Sequence, residues 1–415
     1  MSKPDAPGVK PGKKASRSII TVILIFGVIS LLGDMVYESA RGANSQYFSL
    51  LGVNAAAIGL AFGIGEFLGY ALRLLAGVWS DRTGRHWLFI FAGYGLLIAV
   101  PMMGFTRHWN LLVVLVLMER VGKALRNPAK DTLLSSVAQG QVGVGFAFGL
   151  QEALDQVGAF LGPLIFTLIF TLTARQGPEE YSLGYQLLLI PFAALMVFVY
   201  FAWRRITREN LVPRMRVEEY RQERLPPLFW QYTLFTFVCT LGFVSFSIIG
   251  FHAKDKAILT DAEIPLFYAI AMAVDAVSAL LIGRWYDLRK KKSGRQSGGL
   301  FTLAALPLAS LLLPFLTLSG NRAALIAGLM LFGVVMGAHE TVMRSAIADI
   351  SPFYKRGMSY GIFNAAYGLA LMIGAWGMGL LYDANLVWMI LVITVVLESA
   401  ALWVFFQMQK RARSA

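Results

Sequence analysis

The chain is poor in the residues that cross-linked, metal-bound or nucleophilic sites draw on. Of its 415 residues one is a cysteine, Cys239, and four are histidines. A lone thiol in an apolar stretch closes no intrachain disulfide, and neither a zinc finger nor a CxxC redox pair is possible. Charged residues make up 15% of the chain, where a soluble domain carries about a quarter. No run of Gly, four residues, Gly, Lys and Ser or Thr is present, so nothing supports a nucleotide-driven machine. What is abundant is apolar: 57% of residues are hydrophobic and the mean hydropathy is +0.62. These proportions place the chain in a bilayer.

A helix that crosses about 30 Å of hydrocarbon needs roughly 20 mostly apolar residues. Twelve such stretches are separated by polar breaks: residues 18–46, 54–80, 87–106, 109–136, 142–173, 184–204, 228–252, 264–286, 298–319, 322–348, 356–382 and 385–408. The expected fold is an all-helical integral membrane protein of two six-helix bundles, residues 18–204 and 228–408. A linker over residues 205–227, with six Arg, four Glu and three Pro, joins them. Residues 1–17 form a basic tail without the apolar core and cleavage site of a signal peptide, and 409–415 a second tail. With both termini inside, 24 of the 37 Lys and Arg fall on the cytoplasmic side and five outside. By the positive-inside rule this predicts cytoplasmic termini in the cell (inner) membrane, and it explains the net charge of +13 without nucleic acid. Trp87, Trp109, Trp230 and Trp388 near helix ends fit interfacial anchors.

The halves repeat each other. Gly77, Trp79, Asp81 and Arg82 after the second stretch are echoed by Gly283, Trp285, Asp287 and Arg289 after the eighth. Arg126 and Asp131 enclose four residues at the end of the fourth, as Arg344 and Asp349 do in the tenth. At an offset of 212, Gly149, Ala153 and Gly162 pair with Gly361, Ala365 and Gly374.

Two such halves resemble the major facilitator superfamily. Its signature between helices 2 and 3 is matched by Gly77, Asp81, Arg82, Gly84 and Arg85. The resemblance implies a gate at that end, where Asp81 bonds helix 11 or pairs with a basic residue across the half interface, with Asp287 as its counterpart. In helix 5, Gly149, Gly158, Gly162 and Pro163 resemble the motif of the drug/proton antiporter branches, although Phe166 stands where that pattern has a further Gly. This implies export and a part for helix 5 in the rocking of the halves; plain small-residue packing is the alternative. In helix 4, Arg120 with Ala124 matches the family's Arg and Gly pair only in part, and Arg120 is grouped with the gating residues.

An ionisable side chain inside the membrane costs about 2.5 to 3.5 kcal/mol on insertion scales, so each is a functional candidate that faces a cavity or a partner. Asp34, Glu38 and Arg41 share one face of helix 1 by their spacing; Glu66 and Arg73 follow in helix 2, and Glu119, Lys123 and Arg126 in helix 4. Helix 5 adds Glu152 and Asp155. The second half holds Asp275, His339, Glu340, Arg344 and Glu398. Helices 1, 4, 7 and 10 line the central cavity in the family, which implies that these stripes face the substrate path. Asp34 and Glu38, with Glu152 and Asp155, are the candidate proton-coupling groups: a partly dehydrated carboxylate with a like-charged neighbour suits loading and releasing a proton. A static pair such as Glu38 with Arg41, or Glu119 with Lys123, is the plainer reading. Candidate substrate contacts are Arg41, Glu119, Lys123, Arg126, Glu340, Arg344 and Tyr367, the cations among them suited to a carboxylate or phosphate. Four scattered histidines make neither a metal site nor an enzyme, and no cofactor is implied.

The reading is a monomeric secondary transporter that exchanges protons for a small organic solute. Proton symport of an organic anion is the same-fold alternative, and a non-transporting membrane receptor the rival of another class.

Overall fold

The computed structural model describes residues 13–138, 144–209, 225–293, 296–351 and 356–414. Twelve helical spans follow one another, with no strand among the described residues: α1 (Lys13–Leu50), α2 (Ala55–Thr83), α3 (His86–Phe105), α4 (Trp109–Ala138), α5 (Val144–Thr173), α6 (Pro178–Arg208), α7 (Pro227–Asp255), α8 (Glu263–Ser293), α9 (Leu300–Thr317), α10 (Arg322–Ile350), α11 (Arg356–Asp383) and α12 (Val387–Ser414). Residues 1–12 of the expected N-terminal tail and most of the expected linker lie outside the described residues, whereas nearly all of the expected C-terminal tail is helical, as the end of α12. The sequence boundaries hold to a few residues except at four ends: α1 begins at Lys13 rather than at 18, α8 runs on to Ser293 rather than 286 and α12 to Ser414 rather than 408, and α6 begins at Pro178 rather than at 184 because Gly177 and Pro178 start the helix and the Glu180 side chain caps the Gly177 N–H at 3.0 Å.

Local chemistry sets several other ends. The Asn54 side chain accepts from Ala57 N–H at 2.9 Å and starts α2, as Asn321 does for α10 with Ala324 at 3.1 Å. Gly84 closes α2 with φ +63°, a left-handed conformation natural to glycine. Eleven spans are long and apolar enough to cross a membrane. The twelfth, α4, is 30 residues long but holds Glu119, Arg120, Lys123, Arg126, Lys130 and Asp131. Glu119, Arg120, Arg126 and Lys130 are all buried in protein, which is what makes so polar a helix tolerable at membrane depth.

Spans α1–α6 form one bundle and α7–α12 the other, meeting along two seams, α2 with α11 and α5 with α8, and where α1 meets α7. The first seam is close because α2 presents glycine: a Cβ on Gly63 would stand 2.8 Å from Met372 Cα. Four hydrogen bonds that join the halves lie at mid-depth or toward the end opposite the chain termini. There the Asp383 carboxylate, at the end of α11, accepts from the N–H groups of Ala55 and Ala56 at 2.9 and 2.8 Å, capping α2 across the interface. Thr167 of α5 donates to the Ala262 carbonyl at 3.1 Å. In mid-span, Tyr268 of α8 donates to Glu38 Oε2 at 2.5 Å. The molecule is therefore latched at one end, and a cavity lies behind the latch.

Two departures from uniform helices bear on that cavity. The α7 span is interrupted between Leu241 and Phe246, and Phe243, Ser245, Phe246 and Ser247 at the break all line the cavity. Irregular backbone at membrane depth is tolerated where it borders a polar cavity. In α5, Gly158 packs on the Leu31 carbonyl and Gly162 on Met35 and Ser39, while Pro163 lies against Gly42. These contacts set α5 against α1 inside the first half, so Gly158 and Gly162 serve a seam within that bundle, while Gly149 has open space around it. Phe166 fills the position the family gives to Gly: its ring packs on Gly184 and Tyr185, the latter at 5.0 Å edge to face.

Interfacial anchoring holds for part of the expected set. Trp230 and Trp388 are 53% and 60% exposed, while Trp87 and Trp109 turn inward, onto Phe26 and Phe48.

Candidate functional site

The cavity, about 210 Å³, is lined by charged residues of the first half and by mostly apolar residues of the second. From α1 come Ser30, Asp34, Tyr37, Glu38 and Arg41; from α2 Glu66, Tyr70 and Arg73; from α4 Arg120, Lys123, Arg126, Lys130 and Asp131; from α5 Gln151, Glu152 and Asp155. Opposite them stand Phe243 and Phe246, Met272 and Asp275, Phe332, Met336 and Glu340, and Tyr367. The periodic stripe on α1 thus faces the cavity as its spacing predicts.

Most of the charges in the first half already have partners. Arg120 is held 3.0 Å from Glu66 and 3.3 Å from Glu119, and it donates to the Tyr37 hydroxyl. Arg41 is 3.7 Å from Glu38 and 3.8 Å from Glu66. Lys123 Nζ sits 3.7 Å from the centre of the Tyr37 ring, while Arg126 covers Tyr94 and Arg73 covers Tyr70 at 4.9 and 4.6 Å. Tyr37 is thereby the hub: its ring takes the Lys123 ammonium and its hydroxyl the Arg120 guanidinium.

A second cluster lies nearer the termini. Lys130 Nζ donates to Ser30 Oγ at 2.8 Å, and Ser30 also faces the Asp155 carboxylate. Gln151 reaches Asp155 Oδ2 at 3.5 Å, and Asp155 Oδ1 is buried without a hydrogen bond. Asp34 makes no hydrogen bond or ion pair within 4 Å among the described residues; the charges it feels most strongly are Asp155 and Lys123. Glu152 is exposed to the cavity.

The geometry places the remaining candidates and corrects one of them. Glu119 does not line the main cavity: 4% exposed, it faces a minor crevice beside Val100, Met103 and Val116, and its role is to neutralise Arg120. Arg120, grouped by sequence with the gating residues, is a cavity residue. Glu38 is paired with Arg41 and Tyr268. Tyr367 lies on the cavity wall with its hydroxyl engaged by His339 Nδ1 at 3.2 Å. Arg344 belongs to α10, and its side chain lies outside the described residues.

At the termini end, Gly77 packs on Pro128 within its own half. Asp81 lies 3.9 Å from His86 Nδ1 and beside Thr132, both within its half, and among the described residues it makes no bond to α11 or to a basic residue of the other half; residues 352–355, just before α11, lie outside the described residues. Arg82, Gly84, Arg85 and Asp287 are exposed. In the second half, Asp349 accepts from Tyr286 at 2.8 Å and from Lys290 at 2.5 Å. Closure opposite the termini is one of the two arrangements alternation requires.

Sequence reasoning passed over Ser30, Tyr37 and Lys130 as site residues, offered Tyr268 only as an apolar lining residue, and left Asp275 without a role. Tyr37 and Ser30 carried a usable signal, falling one turn after and before Asp34 on the stripe. Tyr268 and Asp383 carried none, since their partners are 230 and about 330 residues away in sequence.

No group of three or more His, Cys, Asp or Glu side chains among the described residues is arranged to hold a metal ion. The profile of the Major Facilitator Superfamily matches residues 17–318 and 258–415. The chain belongs to that superfamily. It is 35% identical over 390 residues to an uncharacterized protein of Mycobacterium tuberculosis, covering 92% of each chain. An uncharacterized MFS-type transporter of Methanocaldococcus jannaschii is 24% identical over 357 residues, 85% of this chain and 86% of the relative. Among solved structures, a mutant of the nucleoside transporter NupG superposes with a TM-score of 0.70 over 93% of this chain and 99% of that one, at 12% identity, a likeness of fold alone. The protein is thus a multi-pass membrane transporter of the major facilitator fold and not an enzyme.

Proposed function

We propose that this transporter exports a small organic solute in exchange for protons, by alternating access, with Asp34 and Asp155 as the coupling carboxylates. The observation that carries the reading is their placement. They come from different helices, α1 and α5, onto one wall of the cavity, with Lys130 and Ser30 between them. Glu38, Glu66 and Glu119 are tied to arginines or tyrosine, whereas Asp34 has no partner within 4 Å among the described residues. Two neighbouring carboxylates repel each other when both are ionised, and in a partly dehydrated cavity that favours uptake of a proton by one of them. Arrival of a substrate or rearrangement of Lys130 changes that balance, which links proton release to transport. Glu152, exposed on the same wall, is positioned to pass protons between this pair and water. The α5 motif supports export. The excess of Lys and Arg on the side of the termini supports an inner-membrane protein with its termini in the cytoplasm.

The test is proton movement in proteoliposomes loaded with a pH-sensitive dye and challenged with organic cations, organic anions, sugars and nucleosides. Exchange predicts proton flux opposite in sign to substrate flux, abolished in Asp34→Asn and Asp155→Asn. Substrate-driven flux at the wild-type rate in both variants would remove these residues from coupling; protons moving with an organic anion would establish symport instead.

A further inference from the structure

We infer that Asp275, on the second-half wall of the cavity, is the recognition group for the positive charge of a lipophilic organic cation. This rests on the cavity being the substrate path, as proposed above, and adds the chemical class that the path accepts.

The first ground is an uncompensated carboxylate. Asp275 stands near the middle of α8, 3% exposed, yet it borders the cavity and its Oδ1 has no hydrogen-bond partner. Gly337 of α10 packs directly on it, close enough that a Cβ there would meet Oδ1 at 2.8 Å, so there is no side chain from that position to satisfy it. A buried carboxylate without a partner is costly, and a bound cation removes that cost.

The second ground is the distribution of charge. Every Lys and Arg that lines the cavity among the described residues, from Arg41 to Lys130, belongs to the first half. The second half contributes Asp275 and Glu340. The charges acting most on Asp275 are those of Glu340, Glu38 and Glu152, all negative, ahead of Arg41. Arg41 itself is already shared by Glu38 and Glu66. Among the described residues, no positive group of the second half stands on this wall.

The third ground is what surrounds the carboxylate. Phe243, Phe246, Met272, Phe332 and Met336 line the same wall. Phe246, presented by the break in α7, lies 6.1 Å from Phe332. Aromatic faces attract a cation and apolar side chains bury its body, so the wall suits a diffuse charge in an organic frame better than a hydrated metal ion. Recognition by Asp275 in one half and proton exchange by Asp34 and Asp155 in the other gives the halves separate tasks.

The experiment is equilibrium binding of radiolabelled tetraphenylphosphonium to the purified full-length protein in nanodiscs, with tetraphenylborate as an anionic competitor of the same shape. Saturable binding is expected, weakened at least tenfold in Asp275→Asn, restored in large part in Asp275→Glu, and not displaced by tetraphenylborate. Absence of binding to wild type, binding to Asp275→Asn within twofold of wild type, or equal displacement by tetraphenylborate would each overturn the proposal. Should Asp275→Asn fail to fold, Phe332→Leu decides, since it removes an aromatic face and keeps an apolar side chain: undiminished binding refutes the site. Asp34→Asn separates the two readings. It is expected to lose proton flux; proton flux that survives in Asp34→Asn, alongside wild-type cation binding that depends on Asp275, sinks the coupling assignment and leaves this one standing.

Discussion

Removing the Asp383 carboxylate is expected to unlatch the end of the molecule opposite the termini. In the structure this one side chain accepts two backbone N–H groups of the first turn of α2, at 2.9 and 2.8 Å, from the other half. Those N–H groups have no partner within their helix, and the negative charge lies at the positive end of the helix dipole. Loss of a capping side chain costs about 1 kcal/mol and loss of a favourable charge at a helix end about 0.3 to 1 kcal/mol. Because Asp383 is exposed, water can replace part of what is lost, so about 1 to 2 kcal/mol is the working figure for Asp383→Ala. At about 1.4 kcal/mol per tenfold, the population latched at this end should fall about 5- to 30-fold relative to the state open there. Asp383→Asn keeps an acceptor but not the charge and should fall between wild type and Asp383→Ala. Double electron–electron resonance reads this directly. Leu111 and Trp388, exposed at the starts of α4 and α12 in different halves, are replaced by spin-labelled cysteines in a Cys239→Ala background. A longer-distance population should grow in the order wild type, Asp383→Asn, Asp383→Ala. Identical distance distributions in all three would show that the cap contributes nothing to the latch.

Three further outcomes are expected. Tyr268→Phe removes the mid-span hydrogen bond to Glu38, worth about 1.5 to 3 kcal/mol for a charged acceptor, so the same spin-label pair should show a wider distribution; an unchanged one would mean that this contact does not hold the halves. Arg120→Ala leaves Glu66 and Glu119 without their shared cation, a loss of about 3 to 5 kcal/mol for a broken buried pair. It should lower the yield and melting temperature in detergent, with partial recovery in the triple variant that also carries Glu66→Gln and Glu119→Gln; no recovery would argue against charge pairing as the cause. Gly158→Ala drives a methyl group into the Leu31 carbonyl and should cost about 1 to 3 kcal/mol through overpacking, seen as a lower melting temperature, whereas Gly149→Ala, with open space at that position, should be neutral. Equal melting temperatures for the two would refute the assignment of Gly158 to the α1 seam.

The legible parts of this protein are those governed by a local period. Span length, the repeat of Gly77 to Arg82 around Gly283 to Arg289, and the Asp34, Glu38, Arg41 stripe follow from counting along one helix, and the cavity face of α1 was identifiable on that basis. What local spacing could not supply is which side of a crowded helix meets which neighbour. In α4 the charges fall on adjoining faces, so Glu119 appeared equivalent to Lys123 and Arg126, although only the latter two reach the cavity. The family signatures likewise located the Gly77 to Arg85 turn but not its state: Asp81 stays within its own half, and the contact that holds the bundles together here is made by Asp383 at the opposite end.

That placement of the latch has a mechanical consequence. Asp383 and Thr167 bind backbone groups, Ala55 and Ala56 N–H and the Ala262 carbonyl, rather than charged side chains. Such partners are offered by helix ends in any state, become hydrated when the halves part, and leave no unpaired charge stranded at membrane depth. The ion pairs of the cavity, in contrast, join residues of the same half: Arg41 and Arg120 with Glu38, Glu66 and Glu119. A rigid-body rocking of one bundle on the other therefore preserves the costly charge network intact and breaks hydrogen bonds that water can replace. The exception is the Tyr268 to Glu38 bond, which crosses the halves at the depth of the cavity. It is the one described mid-span hydrogen bond between the halves that must yield when the halves separate, and it ends on the carboxylate one turn from Asp34 and among the charges that Asp275 feels, so a change of charge in either cluster acts on the contact that resists opening.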